Sequence, residues 1–320
     1  MTVEFGMDGL AFIFPGQGSQ QVGMGKDLCE NFKVAKEAFE EADEALRLKI
    51  SSLCFDGPEE ELKLTANTQP AILTVSVSAL RVLQLETDLS PSLLAGHSLG
   101  EYTALVAGEA VDFAEAVRAV RARGQFMQEA VPVGEGALGA LLGLDEAEVS
   151  SICEEAAQGE VLTPANFNCP GQIVISGHTG AVTRAVDLAT ERGAKRAMLL
   201  PVSAPFHSPL MKPAGERLKE VLEGMAVRDA QIPVVANVDA EPNASADRIV
   251  KLLTQQVSAP VRWEESMRRM LSEGISRFVE VGPGRVLLGL MKRIDETARL
   301  ANVQDTKSLR KTITIMEGTA

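Results

Sequence analysis

The segment Ser92-Leu93-Leu94-Ala95-Gly96-His97-Ser98-Leu99-Gly100 limits the fold more tightly than any other part of the chain. An apolar run leads straight into a short turn with glycine at both ends. A helical pattern from Leu99 to Ala107 follows, stopped by Gly108. A strand that reverses this sharply into a helix needs glycine where the backbone crowds its neighbours, and it leaves the central side chain, Ser98, exposed at the apex. Strand, turn and helix in that order belong to an α/β fold with a mostly parallel sheet and helices over its faces.

The rest of the chain repeats the alternation. Leu10 to Phe14 is a continuous apolar run ended by Pro15-Gly16-Gln17-Gly18, the pattern of a buried strand entering a tight turn. Helix-like stretches cover Lys33 to Leu48 and Gln69 to Leu85. From about Gly134 the texture changes: strands are expected at Ala137 to Leu144, Val161 to Asn166, Ile173 to Ser176 and Ala197 to Leu200. Helices are expected at Ala147 to Ala157 and Ala181 to Arg192. That βαββαβ order forms a small split sheet that can be inserted as a unit, here from Val131 to Pro201. Pro233 to Ala236 and Arg277 to Val281 then return to the main sheet. The tail after Thr306 is polar and is expected to fray.

The charge balance narrows the partners. A formal net charge of −13 excludes nucleic acid and anionic membranes as main partners, since both require a basic surface. No apolar run approaches the length of a membrane span, and Met1 to Leu10 lacks the basic start and long apolar core of a secretory signal. Cys29, Cys54, Cys153 and Cys169 stand far apart, so they read as reduced thiols rather than a metal site or a disulfide framework. A cytoplasmic monomer with no metal and no cofactor is expected.

Within this frame Ser98 reads as a nucleophile, and the N–H of Leu99, at a helix start, as an oxyanion donor. A serine hydroxyl needs a base, and the chain has 3 histidines. His97 adjoins the nucleophile and reads as shaping the turn. His178, in Ser176-Gly177-His178-Thr179-Gly180, reads as an exposed turn residue. His207 is fixed between Pro205 and Pro209 and is the base by elimination. No acid stands out to orient it: Asp112, Asp145 and Asp187 show no other sign of a role. A dyad oriented by a backbone carbonyl or an amide side chain remains compatible with the sequence. Arg123, one helix beyond the turn, reads in isolation as a solvated helical arginine.

These residues resemble the malonyl-CoA:acyl carrier protein transacylase family over essentially the whole chain. The resemblance is carried by Phe14-Pro15-Gly16-Gln17-Gly18-Ser19-Gln20, by Gly96-His97-Ser98-Leu99-Gly100-Glu101-Tyr102 and by Arg123-Gly124 with Met127-Gln128-Glu129-Ala130-Val131-Pro132. Further blocks follow in the family's order: Asn168-Cys169-Pro170-Gly171-Gln172, Phe206-His207-Ser208, Gln256 to Trp263 and Glu280 to Gly284. The resemblance implies an α/β-hydrolase-like core (residues 1–130 and 202–320) with a ferredoxin-like insert (131–201) and the active site between them. It implies Ser98 as nucleophile, His207 as general base and acid, and Gln256 as the residue whose main-chain carbonyl orients His207. Gln17 would join the Leu99 amide in the oxyanion hole, and Arg123 would bind the malonyl carboxylate. Phe206 resembles its counterpart in malonyl-selective members.

The implied partners are malonyl-CoA and holo acyl carrier protein, used in turn. An acidic carrier would need a local basic patch, for which Lys195, Arg196 and Lys212 are candidates. The roles of Asn166 and Asn168 stay open. The rival expectations are a serine esterase or thioesterase, a trans-acting acyltransferase of a polyketide synthase, and a non-catalytic scaffold with the same fold.

Overall fold

The computed structural model describes residues 9–202 and 204–317; the amino-terminal stretch judged for a signal falls almost wholly outside them. Among the described residues ten strands occur: β1 (Gly9–Phe14), β2 (Leu93–Gly96), β3 (Gly136–Leu142), β4 (Leu162–Cys169), β5 (Gln172–His178), β6 (Arg196–Leu199), β7 (Val234–Val235), β8 (Pro242–Asn243), β9 (Ile275–Val281) and β10 (Arg299–Val303). Six form one sheet in the order β10-β9-β1-β2-β7-β8, parallel throughout except for the β7–β8 pair. The other four form a separate antiparallel sheet in the order β4-β5-β3-β6. With one helix after β3 and another after β5, the smaller sheet is the expected ferredoxin-like arrangement.

Strands β1 and β2 are apolar on both faces because both faces are covered. Phe12, Phe14, Leu94 and Val279 point into one core, against the helices Thr65–Glu86 and Phe113–Glu129. Ala11, Ile13, Leu93, Ala95 and Phe278 point into the other, with Trp263, Met267, Met270 and Leu288. The two-residue alternation of a strand thus separates two apolar layers. The smaller sheet has its own core, including Leu141, Ile152, Ile175, Val182 and Ala185. Its strand β4 is tied to the main body by Phe167 N–H to Val261 O (2.9 Å) and Val261 N–H to Ala165 O (2.8 Å).

Two expectations need correction. The tail does not fray after Thr306: β10 adds an edge strand, and the helix Thr306–Glu317 packs back on it with Leu309, Thr312 and Met316 buried. Leu309, Ile313 and Met316 recur at i, i+4 and i+7, so a narrow apolar stripe lies within a polar sequence. The helix expected from Gln69 starts at Thr65 and carries Pro70 inside it.

Candidate active site

Four parallel strands, β9, β1, β2 and β7, aim their carboxyl ends at one cleft, where ligands of open α/β sheets bind. The register pairs Phe14 with Gly96, so the loops carrying Gln17 and Ser98 emerge side by side. The turn at Ser98 is as tight as the glycines imply. A Cβ on Gly96 would stand 1.9 Å from the Gly100 carbonyl carbon, and one on Gly100 would stand 2.2 Å from Phe14 O. Ser98 itself has φ 52°, in the left-handed region that costs a residue with a Cβ on the order of 1–2 kcal/mol.

Two amide side chains hold that conformation. Asn237 accepts from the Ser98 N–H through Oδ1 (2.7 Å) and donates to Gly96 O through Nδ2 (2.8 Å). Gln256 donates through Nε2 to Ser98 O (2.9 Å). The main-chain N–H groups of Leu99 and Gln17 find no hydrogen-bond partner among the described residues, and both residues line the cleft. The Gln17 side chain is turned away, donating to Thr65 Oγ1 at 3.3 Å.

His207, also at positive φ (58°), places Nε2 2.8 Å from Ser98 Oγ, while its Nδ1 lies 2.8 Å from the main-chain oxygen of Gln256. A carbonyl only accepts, so Nδ1 carries the proton and Nε2 offers its lone pair to the Ser98 hydroxyl. Gln256 ends the helix Ala246–Gln256, and carbonyls in a last turn lack intrahelical partners. That terminus also carries partial negative charge, which favours a protonated imidazole.

Burial first, then the neighbouring Arg123 charge, push the His207 pKa down to about 3, against the raising effect of the Gln256 carbonyl. A lowered pKa keeps the imidazole neutral, with its Nε2 lone pair free to accept a proton, well into the acid range. Labelling of Ser98 by a fluorophosphonate should accordingly change by no more than about twofold between pH 7 and 5, where an unshifted histidine would lose about 25-fold. A fall in labelling with a midpoint near 6.5 would remove His207 as the buried base.

Arg123 overturns its reading as a solvated residue. It is 1% exposed, on the inner face of the helix Phe113–Glu129. NH1 donates to Gln69 Oε1 (2.7 Å); NH2 donates to Ser98 Oγ (3.0 Å) and Gln256 Oε1 (2.9 Å). A guanidinium has five N–H groups. Beyond these three bonds it retains the second NH1 proton and Nε–H, and Nε has no partner among the described residues. Burial pulls its pKa down, while Tyr102 and Glu101 pull it back up. Its three partners are neutral, so the site satisfies the hydrogen bonds of the cation better than its charge.

His97 lines the cleft with its Nε2 2.9 Å from Asn168 Oδ1, which gives Asn168 the task of fixing that ring. Asn166 lines the same cleft. His178 is not a turn residue: it ends β5, and its Nδ1 accepts from the Val161 N–H at 3.0 Å. Lys195, Arg196 and Lys212 are exposed, and none enters an ion pair among the described residues. The sequence reading missed Gln69, Glu101 and Asn237. Glu101 had a signal, being the one charge in an otherwise uncharged helix, Gly100–Ala107.

The cleft encloses about 230 Å³. Met127, Leu138, Val174, Leu200, Phe206 and Leu290 give it an apolar wall, contributed by both sheets' surroundings. A serine with a neutral imidazole, two free main-chain donors and a fixed cation can accept an acyl group and bind an anion beside it.

Comparison with known proteins agrees with this chemistry. The model of the acyl transferase domain family matches residues 11–312. The chain is 49% identical over 308 residues to the malonyl CoA-acyl carrier protein transacylase of Bacillus subtilis, covering 96% of this chain and 97% of that one. The solved transacylase of Coxiella burnetii superposes with a TM-score of 0.95 at 45% identity, covering 97% of this chain and 98% of that one. A malonyl-transacylase solved in complex with a type II polyketide synthase acyl-carrier protein superposes with a TM-score of 0.94 at 48% identity, covering 98% of this chain and 100% of its own.

Proposed function

Because the chain belongs to the malonyl CoA-acyl carrier protein transacylases of the acyl transferase domain family, we propose that it moves malonyl from coenzyme A to the phosphopantetheine thiol of acyl carrier protein through an ester on Ser98. His207 takes the Ser98 proton as Oγ attacks the thioester, and the main-chain N–H groups of Leu99 and Gln17 receive the oxyanion. Coenzyme A departs as the thiol with the proton held by His207. The carrier's thiol then attacks the malonyl ester, giving its proton to the same imidazole, and Ser98 leaves with it. The apolar wall, Phe206 included, keeps water from taking the thiol's place.

One observation carries the malonyl assignment: the NH2 of a buried arginine stands 3.0 Å from the nucleophile's oxygen. Once Oγ becomes an ester oxygen, that N–H is released. With the spare proton on NH1 it offers the two-pronged donor set that a carboxylate accepts. An esterase or thioesterase for simple acyl groups has no use for a cation there.

The insert, residues 131–201, is read as a unit closing the cleft over the core formed by 1–130 and 202–320, supported by its separate sheet and core. The enzyme is read as a cytoplasmic monomer; among the described residues no helix is long and apolar enough to cross a membrane. Lys195, Arg196 and Lys212 are read as part of the carrier's docking surface.

Incubation with malonyl-CoA alone, followed by peptide mapping, should place one malonyl group on Ser98, and holo acyl carrier protein should discharge it. An adduct lost equally fast without the carrier makes the protein a hydrolase. A polyketide carrier is a second reading, favoured by the complex with such a carrier noted above; kcat/KM for fatty-acid and polyketide carriers separates the two.

A further inference from the structure

Beneath the nucleophile lies a buried carboxylate that the reaction as described does not use. Glu101 follows the turn on the first turn of the helix Gly100–Ala107 and is 3% exposed. One of its oxygens, Oε2, accepts both the Asn237 N–H (3.0 Å) and Gln256 Nε2 (2.9 Å). The Asn237 side chain holds Ser98 N–H and Gly96 O, and the Gln256 side chain holds Ser98 O and offers Oε1 to Arg123.

An amide can be turned end for end at almost no steric cost, and here the two ends do opposite things. If Gln256 flipped, its NH2 would face the Arg123 NH2 and its oxygen would face Ser98 O, so donor would meet donor and acceptor would meet acceptor. Glu101 Oε2 faces the same amide end, so the flipped oxygen would meet a third mismatched group, and the carboxyl reinforces the working orientation. We infer that Glu101 is a positioning residue for the transfer reaction: one oxygen sets the orientation of Gln256, and holds Asn237 beside it, so that the Ser98 backbone is clamped and Arg123 keeps its acceptor.

The role asks for an acceptor in this place rather than for a negative charge. Burial holds the Glu101 carboxyl up to about 7, so both protonation states occur near neutrality, and in either state an oxygen remains to accept. The inference rests on the transferase reading above, and its test keeps the two apart.

Transfer to holo acyl carrier protein is measured for malonyl-CoA and for acetyl-CoA with wild-type enzyme, Glu101→Asp and Glu101→Gln. Aspartate withdraws the oxygen by one methylene, whereas glutamine keeps an acceptor oxygen in reach of both donors. Glu101→Asp should lower kcat for malonyl about 10- to 100-fold, as expected when buried donors lose their acceptor. It should lower acetyl transfer by several-fold less, because acetyl does not depend on Arg123. Glu101→Gln should recover most of both losses. Melting temperatures verify that the variants are folded.

An equal loss for the two acyl groups in Glu101→Asp would make Glu101 merely structural and overturn the inference. So would a Glu101→Gln enzyme as impaired as Glu101→Asp, since charge rather than acceptor geometry would then matter. A wild-type enzyme that forms no malonyl ester would instead defeat the transferase reading itself.

Discussion

Ser98→Ala should give no malonyl-enzyme at all and lower transfer by at least about 10⁴-fold, since losing the nucleophile of a serine enzyme costs on the order of 10⁶ in kcat. The fold should survive the change. Alanine also has a Cβ, so the cost of φ 52° is already present in the native chain, and the bonds that hold the turn come from Asn237 and Gln256 to the main chain of residue 98. What disappears is the hydroxyl, with its contacts to His207 and Arg123. The measurement is intact mass after incubation with malonyl-CoA, beside a melting curve. Residual adduct on a folded Ser98→Ala protein would assign the chemistry to another residue.

Arg123→Ala should lower kcat/KM for malonyl-CoA by about two to four orders of magnitude, because removing one partner of a buried ion pair costs about 3–5 kcal/mol and each 1.4 kcal/mol is tenfold. Acetyl-CoA should behave in the opposite sense. It brings no carboxylate, so in the wild type it leaves the cation without an anion; in the variant that charge is gone and its turnover should hold or rise. The truncation also strips the oxygens of Gln69 and Gln256 of a donor, but Arg123 and Gln69 line the cleft, so water can enter the space the guanidinium leaves. The informative number is the ratio of the two specificity constants. If the variant loses both substrates in parallel, Arg123 is structural and the malonyl assignment loses its main chemical support.

Much of this was legible from local sequence because the chemistry depends on local constraints. The turn at Ser98 is specified by Gly96 and Gly100, where added methyl carbons have no room, and by the apolar run and helical pattern on either side. The separate antiparallel sheet declared itself through its order of short elements. His207 was singled out by elimination among 3 histidines, and its Nε2 lies 2.8 Å from Ser98 Oγ.

Arg123 shows where such reading falls short. Taken alone, an arginine on a helix is solvated; taken with Ala116, Val120 and Met127 it lies on the stripe at i, i+4, i+7 and i+11 that faces the core. Residues such as Asn237 and Gln69 carry no local signal. Their importance comes from reaching across the fold, Asn237 to a residue 139 positions earlier and Gln69 to one 54 positions later.

The bond from His207 Nδ1 to the Gln256 carbonyl has a genetic consequence. In a catalytic triad the orienting acid is a side chain, and one missense change can delete it. Here the acceptor belongs to the main chain, so no missense change at codon 256 removes it. Mutational scanning there reports instead on the amide that serves Arg123 and Ser98. The lesion that reaches the His207 ring is one of length: a single-residue insertion or deletion within the helix Ala246–Gln256 turns its end by about 100° and carries the carbonyl out of line. Evolution can therefore vary the exposed side chains of that helix, but Ile249, Leu252, Leu253 and Gln256 are buried, and the number of residues must be kept.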